Sequence, residues 1–247
     1  MGYKQGYSVS IIVPARDEEG TIKLLAKRLP QFGSKQELIF VEGNSKDNTW
    51  QEIKELKGTA KRIIKAYKQK GKGKADAVRL GFSKATGDIL VILDSDLSVP
   101  PEDLPKFFNV LASGKAGFVN GSRFVYPKEK GAMRFFNHLG NKFFAYVFSL
   151  ILRQKITDTL CGTKALFRKD YLEIKKITKN FSARDPYGDF ELLLGAGLLR
   201  LSVREVAIKY KARIYGKSKI SPFLDGIKLV LLLLKAFWEY LRLIFSK

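Results

Sequence analysis

Short strand-like runs at Val9 to Val13, Leu38 to Val41, Arg62 to Ala66, Ile89 to Leu93 and Gly117 to Asn120 alternate with helical patterns around 18–29, 47–57, 74–85 and 101–113. That rhythm predicts an α/β domain in which a mostly parallel sheet carries helices on both faces. Pro100-Pro101 followed by Glu102 and Asp103 fits a helix start, with proline in the first turn and acids at the positive end of the dipole. After residue 130 the rhythm changes to two long apolar segments, about 134–153 and 222–245, separated by a mixed region with a strand expected at 203–209. No internal repeat or low-complexity linker divides the chain. The expected organisation is a catalytic domain over 1–220, including the segment at 134–153, and an amphipathic helix over 221–247.

The fourth apolar run ends in Asp94-Ser95-Asp96. Parallel sheets place their ligand sites at the carboxyl ends of strands, so two carboxylates arrive together where a diphosphate would be bound. Carboxylate oxygens are hard ligands suited to Mg²⁺ or Mn²⁺, and such ions take one or two protein carboxylates while the substrate's phosphates complete the shell. A plain turn is the competing reading, since Asp and Ser favour turns and Pro100 closes this one. The first strand exits into Pro14-Ala15-Arg16-Asp17-Glu18-Glu19 and the second into Glu42-Gly43-Asn44-Ser45-Lys46-Asp47. Three acid-bearing exits on one sheet edge favour a shared site, although Glu18 and Glu19 can serve a helix dipole, and Ser45 or Asp47 can cap the next helix.

Charge narrows the partners. The net charge is +21, from 45 Lys and Arg against 24 Asp and Glu. Such a surplus suits a polyanionic partner: nucleic acid, an anionic membrane surface or phosphorylated substrates. Cys161 is the one cysteine and His138 the one histidine, which excludes an internal disulfide and a Cys/His zinc site. Any metal is therefore expected on oxygen ligands. No apolar h-region precedes the first strand, so the catalytic side is expected to face the cytosol.

The motifs, in order, resemble those of family 2 glycosyltransferases, which use the glycosyltransferase-A type fold. They are Val9 to Glu19, Glu42 to Thr49, Gly71-Lys72-Gly73-Lys74-Ala75-Asp76-Ala77 and Asp94-Ser95-Asp96. Gly121-Ser122-Arg123-Phe124, Asp158 to Ala165 and Arg213-Ile214-Tyr215-Gly216-Lys217-Ser218-Lys219 resemble the branch that glycosylates polyprenyl or dolichyl phosphate. The resemblance spans about residues 8–220. It implies a nucleotide-sugar donor of the GDP-mannose or UDP-glucose type. Pro14, Ala15, Glu18, Glu42 and Asp47 would line the nucleotide pocket, with Asp76 nearby. Asp94, Ser95 and Asp96 would take the metal and donor diphosphate, and Arg213 would bind that diphosphate. Arg123, Arg134, Ser218 and Lys219 would meet the lipid phosphate, a role for which the forked guanidinium is suited. Taken alone, each arginine reads as a member of a basic surface. Asp17 stands where the family usually has Asn, Glu42 where it has Asp, and Gly43 replaces a second acid, so the resemblance leaves the base open. By spacing alone Gly71 to Lys74 is a solvated basic loop, since it matches neither phosphate-binding glycine pattern.

The two late apolar segments are expected to lie on a membrane rather than cross it. In Phe223 to Phe245, Asp225, Lys228, Lys235, Glu239 and Arg242 fall on one stripe. A charge near the bilayer centre costs about 2.5–3.5 kcal/mol, whereas an interfacial helix keeps its stripe wet. In the first segment Arg134, His138, Asn141, Lys142 and Ser149 are expected to form the wet side, with Phe135, Phe136, Phe143, Phe144, Val147, Phe148, Leu150 and Ile151 covering the others. Two ordinary core or dimer helices are the alternative. The protein is thus expected to be peripheral (monotopic), at the cytoplasmic face of an anionic membrane.

These expectations combine into inverting transfer of a hexose to an ionised lipid phosphate, which needs no general base. A family 2 enzyme acting on a sugar hydroxyl would need one, and Asp158, Asp189 and Glu191 are its candidates. A non-catalytic nucleotide-sugar sensor would be expected to lack part of the metal or acceptor set. Nucleic-acid binding is suggested by charge alone and is disfavoured by the two broad apolar helices.

Overall fold

The computed structural model describes residues 6–59, 62–126, 135–179, 185, 187–211, 226–234 and 238. In chain order the elements are β1 (Val9–Ala15), α1 (Ile22–Arg28), β2 (Gln36–Glu42), α2 (Thr49–Thr59), β3 (Ile63–Lys68), α3 (Lys74–Lys84), β4 (Ile89–Ile92), a 3₁₀ turn (Pro101–Asp103), α4 (Leu104–Ala112), β5 (Phe118–Ser122), α5 (Phe135–Leu152), β6 (Lys164–Phe167), α6 (Arg168–Ile177), α7 (Asp189–Leu198) and β7 (Val203–Ala207). Residues 226–234 form a further helix, α8.

The strands make one seven-stranded sheet in the order β3-β2-β1-β4-β6-β5-β7. All neighbours are parallel except β6, which runs antiparallel to both β4 and β5. Side chains alternate between faces along each strand. Val9, Ile11 and Val13 of β1 therefore join one apolar cluster with α1 and α4. Ile12 joins a second cluster with α3, α5, α6, α7 and α8. Burial on both faces explains why the central strands are continuous apolar runs rather than alternating ones.

The mixed region after residue 153 contains three elements that periodicity did not predict: β6, α6 and α7. β6 is only four residues long and opens on Lys164, which is fully buried. Nothing in Lys-Ala-Leu-Phe marks a central strand. Its lysine is tolerated because its ammonium donates to Asp189 at 2.8 Å and to the Cys161 carbonyl.

Helix α5 forms over nearly the expected span, but the expectation about its polar side is corrected. Asn141 is 1% exposed. Its amide donates to the Thr157 carbonyl at 3.0 Å, and its Oδ1 accepts from the Thr159 amide at 3.0 Å. Ser149 accepts from the Ile156 amide at 3.0 Å and donates to the Ala145 carbonyl. These groups satisfy a buried loop backbone that has no strand partner, so they turn inward instead of staying wet. Phe144 and Phe148 also turn inward, with ring centroids 5.0 and 4.7 Å from that of Phe190 in α7. Leu139, Phe143, Tyr146, Leu150 and Ile151 remain exposed. In α8, Leu229 and Leu232 are buried in the second cluster, while Ile227, Val230, Leu231, Leu234 and the nearby Trp238 are exposed. Among the described residues no helix is long and apolar enough to cross a membrane.

Candidate active site

Because β1, β2 and β4 are parallel, their exits share one edge. The exits of β1 and β2 are laced together by reciprocal hydrogen bonds. Asp17 accepts from the Lys46 amide at 2.8 Å, and its own amide donates to Ser45 Oγ at 3.0 Å. The Glu18 amide donates to Thr49 Oγ1 at 2.9 Å and the Glu19 amide to Asp47 at 3.1 Å. Asp47 also accepts from the Thr49 amide at 3.0 Å, which makes it the cap of α2. Burial opposes ionisation of Asp47, but these hydrogen bonds outweigh it and hold the carboxyl below its ordinary range. Pro14 and Ala15 act here through their carbonyls, accepting from Ser95 Oγ at 3.0 Å and from the Gly43 amide at 2.8 Å. Ser95 thus ties the β4 exit to that of β1.

Glu42 ends β2 and is 1% exposed. Its Oε1 accepts from the Ser45 amide, whereas its Oε2 is buried with no hydrogen-bond partner among the described residues. A buried carboxylate oxygen is costly without a donor. The imide or amide N–H of a nucleobase is such a donor. Asp76 lies in the first turn of α3, its carboxylate packed so closely on Gly71 that a Cβ there would collide with it.

At the β4 exit, Asp96 is 3% exposed and accepts from the Ser98 amide at 3.0 Å. Leu97 between them adopts φ 57°, the left-handed conformation that folds the chain back onto Asp96. Asp94 is ion-paired with Lys74, Nζ to Oδ1 at 2.5 Å. Burial alone would depress the Lys74 ammonium, but attraction to Asp94, with Asp189 and Asp96 beyond it, raises its pKa. Gly162 passes directly over the pair; a Cβ at 162 would strike both Lys74 Nζ and the Asp94 carboxylate. The stretch read as a solvated basic loop therefore sends one lysine into the site. Spacing gave no signal for this, because Gly162 and Lys74 meet only through the fold.

Among the described residues no group of three or more His, Cys, Asp or Glu could hold a metal. The Asp94 and Asp96 oxygens suit a Mg²⁺ or Mn²⁺ ion whose shell is completed by a diphosphate.

Arg123 and the three candidate bases are engaged within the protein. Arg123 grips Asp158 with Nε at 2.6 Å and Nη2 at 2.8 Å, and its guanidinium lies 5.2 Å from the Tyr210 ring centre. Asp158 is fully buried and also accepts from the Arg123 and Leu160 amides at 3.0 and 3.2 Å. Its own amide and that of Thr157 donate to Glu205 on β7. Burial would lower the Arg123 pKa, but Asp158 raises it. Asp189 is paired with Lys164, and Glu191 with Arg79 at 2.9 Å. Burial pushes the Cys161 thiol up to about 12, so it stays protonated and inert. Arg134, Arg213, Ser218 and Lys219 lie outside the described residues.

Residues 10–174 match the model of glycosyl transferase family 2. A dolichol-phosphate mannosyltransferase of Pyrococcus furiosus is 31% identical over 96% of this chain and 62% of its own length. One from Saccharomyces cerevisiae is 38% identical over 47% of this chain and 45% of its own. The chain thus spans less than two thirds of those two relatives. A UDP-N-acetylglucosamine--dolichyl-phosphate N-acetylglucosaminyltransferase of Methanococcus voltae is 28% identical over 92% of this chain and 96% of its own length. Among solved structures, glucosyl-3-phosphoglycerate synthase of Mycobacterium tuberculosis, in complex with Mn²⁺, UDP and glucosyl-3-phosphoglycerate, superposes with a TM-score of 0.64 at 18% identity. That match covers 95% of this chain and 81% of the other.

Proposed function

This chain belongs to glycosyl transferase family 2, and from that premise we propose that it transfers a hexose, with inversion, from a nucleotide sugar to a polyprenyl or dolichyl phosphate at a membrane surface. The observation that carries the choice of acceptor is the state of the three candidate bases. Asp158, Asp189 and Glu191 each face a basic partner, Arg123, Lys164 and Arg79. All three carboxylates are buried and engaged by those partners rather than open to a substrate hydroxyl. A hydroxyl nucleophile needs such a base, whereas a lipid phosphate is already ionised near neutral pH.

On the donor side, Glu42 would take a base N–H on its buried Oε2, and the laced exit loops would hold the nucleoside. Asp94 and Asp96 would hold a Mg²⁺ or Mn²⁺ ion, which supplies Lewis-acid stabilisation of the leaving diphosphate. Arg213 would add positive charge to that diphosphate. Since the Arg123 charge is balanced by Asp158, attraction of the acceptor phosphate would fall mainly to Arg134 and Lys219, with Ser218 as a neutral donor. The exposed apolar faces of α5 and α8 would rest in the interface of an anionic membrane, the basic surface adding attraction. The cytoplasmic face follows from where nucleotide sugars are expected.

Incubation with Mn²⁺ or Mg²⁺, a panel of nucleotide sugars including GDP-mannose, UDP-glucose and UDP-N-acetylglucosamine, and a short polyprenyl phosphate should yield one glycolipid. Asp96→Asn should lose its formation. Transfer to sugar hydroxyls with no glycolipid across the panel would overturn the proposal in favour of the hydroxyl-acceptor reaction.

A further inference from the structure

The ion pair between Lys74 and Asp94 places a cation of the protein on a carboxylate that the proposed reaction assigns to a metal. Four observations bear on its meaning. Lys74 opens α3 directly after Gly73, which has φ 86°. A lysine in the first turn faces the positive end of the helix dipole, so it gains nothing from its helix. Its ammonium is drawn across to Asp94 at 2.5 Å, with Asp189 and Asp96 adding attraction. Gly162 leaves room for that contact and for nothing bulkier, since a Cβ would displace both partners. Lys74 nevertheless keeps 22% of its side chain exposed and Asp94 26%, so the pair lies open to a ligand rather than sealed in the core.

We propose that Lys74 is a donor-binding residue that competes with the divalent cation for Asp94 and, once the cation holds that carboxylate, turns its ammonium to the donor's diphosphate. The inference rests on the metal and donor reading of Asp94 and Asp96. A lysine released from Asp94 remains within reach of the same edge, because its backbone is fixed at the start of α3 while its four-carbon stem rotates. Metal and lysine then share the work: two cations serve one carboxylate in turn and finally face one diphosphate. Asp189 also attracts Lys74, but it makes its own ion pair with Lys164 at 2.8 Å.

The two halves of the proposal have opposite signatures. Manganese titrations followed by electron paramagnetic resonance, with no nucleotide present, should find Mn²⁺ bound about fivefold more tightly by Lys74→Met than by the wild type. That is the scale expected when a partly exposed pair no longer competes. Calorimetric titration of UDP and GDP at saturating Mn²⁺ should find the preferred one bound about tenfold more weakly by the same variant. Lys74→Arg, which keeps the charge, should retain most of the wild-type metal competition. A residue that merely propped up α3 would not move the two constants in opposite directions. Unchanged Mn²⁺ affinity in Lys74→Met, or unchanged nucleotide affinity, overturns the proposal while leaving the metal site standing. Failure of the wild type to bind Mn²⁺ even with nucleotide present overturns the metal reading, and this proposal with it.

Discussion

Replacing Asp158 with asparagine separates the charge of that side chain from its shape, and so tests whether it is a counter-ion or a base. In the wild type its oxygens accept from Arg123 Nε and Nη2 and from the Arg123 and Leu160 amides. Asparagine keeps one acceptor oxygen but turns an NH₂ group towards donors that had met oxygen. The Arg123 guanidinium, whose side chain is 11% exposed, keeps its charge with no counter-ion. Breaking a buried pair from one side costs about 3–5 kcal/mol, against a total stability of about 5–15 kcal/mol for a domain. At about 2–4 °C per kcal/mol for a chain of this size, the unfolding midpoint should fall by about 10 °C. Urea and thermal unfolding measure the loss directly. If it comes from an uncompensated charge, Arg123→Met combined with Asp158→Leu should recover most of it. Glycolipid formation by Asp158→Asn, assayed well below its midpoint, should persist. A variant as stable as the wild type but unable to transfer sugar would refute this reasoning, because the carboxylate would then be acting on substrate.

Glu42→Gln should weaken binding of the nucleoside diphosphate by about 10–100-fold, the range for losing a charged hydrogen bond, and leave Mn²⁺ binding unchanged; calorimetry on both ligands checks this. Burial, with Asp189 adding to it, raises the Asp185 carboxyl to about 6 from 3.8. A raised carboxyl favours folding in its protonated form, so its contribution is full below about pH 4 and is lost as pH climbs through 6. Wild-type stability relative to Asp185→Asn should therefore fall by about 3 kcal/mol from pH 3.5 to 7 in urea titrations, and a flat difference would contradict it. Combining Phe143→Ser, Leu150→Ser and Trp238→Ser should weaken binding to phosphatidylglycerol vesicles, read by sedimentation, by about 1,000-fold or more, from about 1.5–3 kcal/mol per fully buried side chain, without changing the circular dichroism spectrum.

The parallel half of the sheet was legible because each central strand carries a largely apolar run and is followed by a helix. The gathering of acids at its exits was legible because parallel strands end on the same edge. β6 was not, since a four-residue strand opening on a lysine carries no periodic signal and owes its place to Asp189, far along the chain. Asn141 and Ser149 share a helix face with Lys142, and composition cannot tell a wet polar side from one turned onto a loop backbone. Sequence alone makes Asp158 a candidate base and gives its partner Arg123 a phosphate to bind, because it shows both charges and not their union. Asp47 belongs to the expected site by position, yet its contacts are those of a helix cap.

The hydrogen bonds of Asn141 and Ser149 also settle how freely the site can shift against whatever α5 rests upon. They fasten α5 to residues 156–159, and the same loop goes on to Gly162, which roofs Lys74 and Asp94. Helix and roof are thus hydrogen-bonded into one bracket. If α5 rests on a membrane as proposed, that bracket would set the height of Asp94 and Asp96 above it. An acceptor would be selected by how far its headgroup rises to that height, and its buried tail would be free to vary in length.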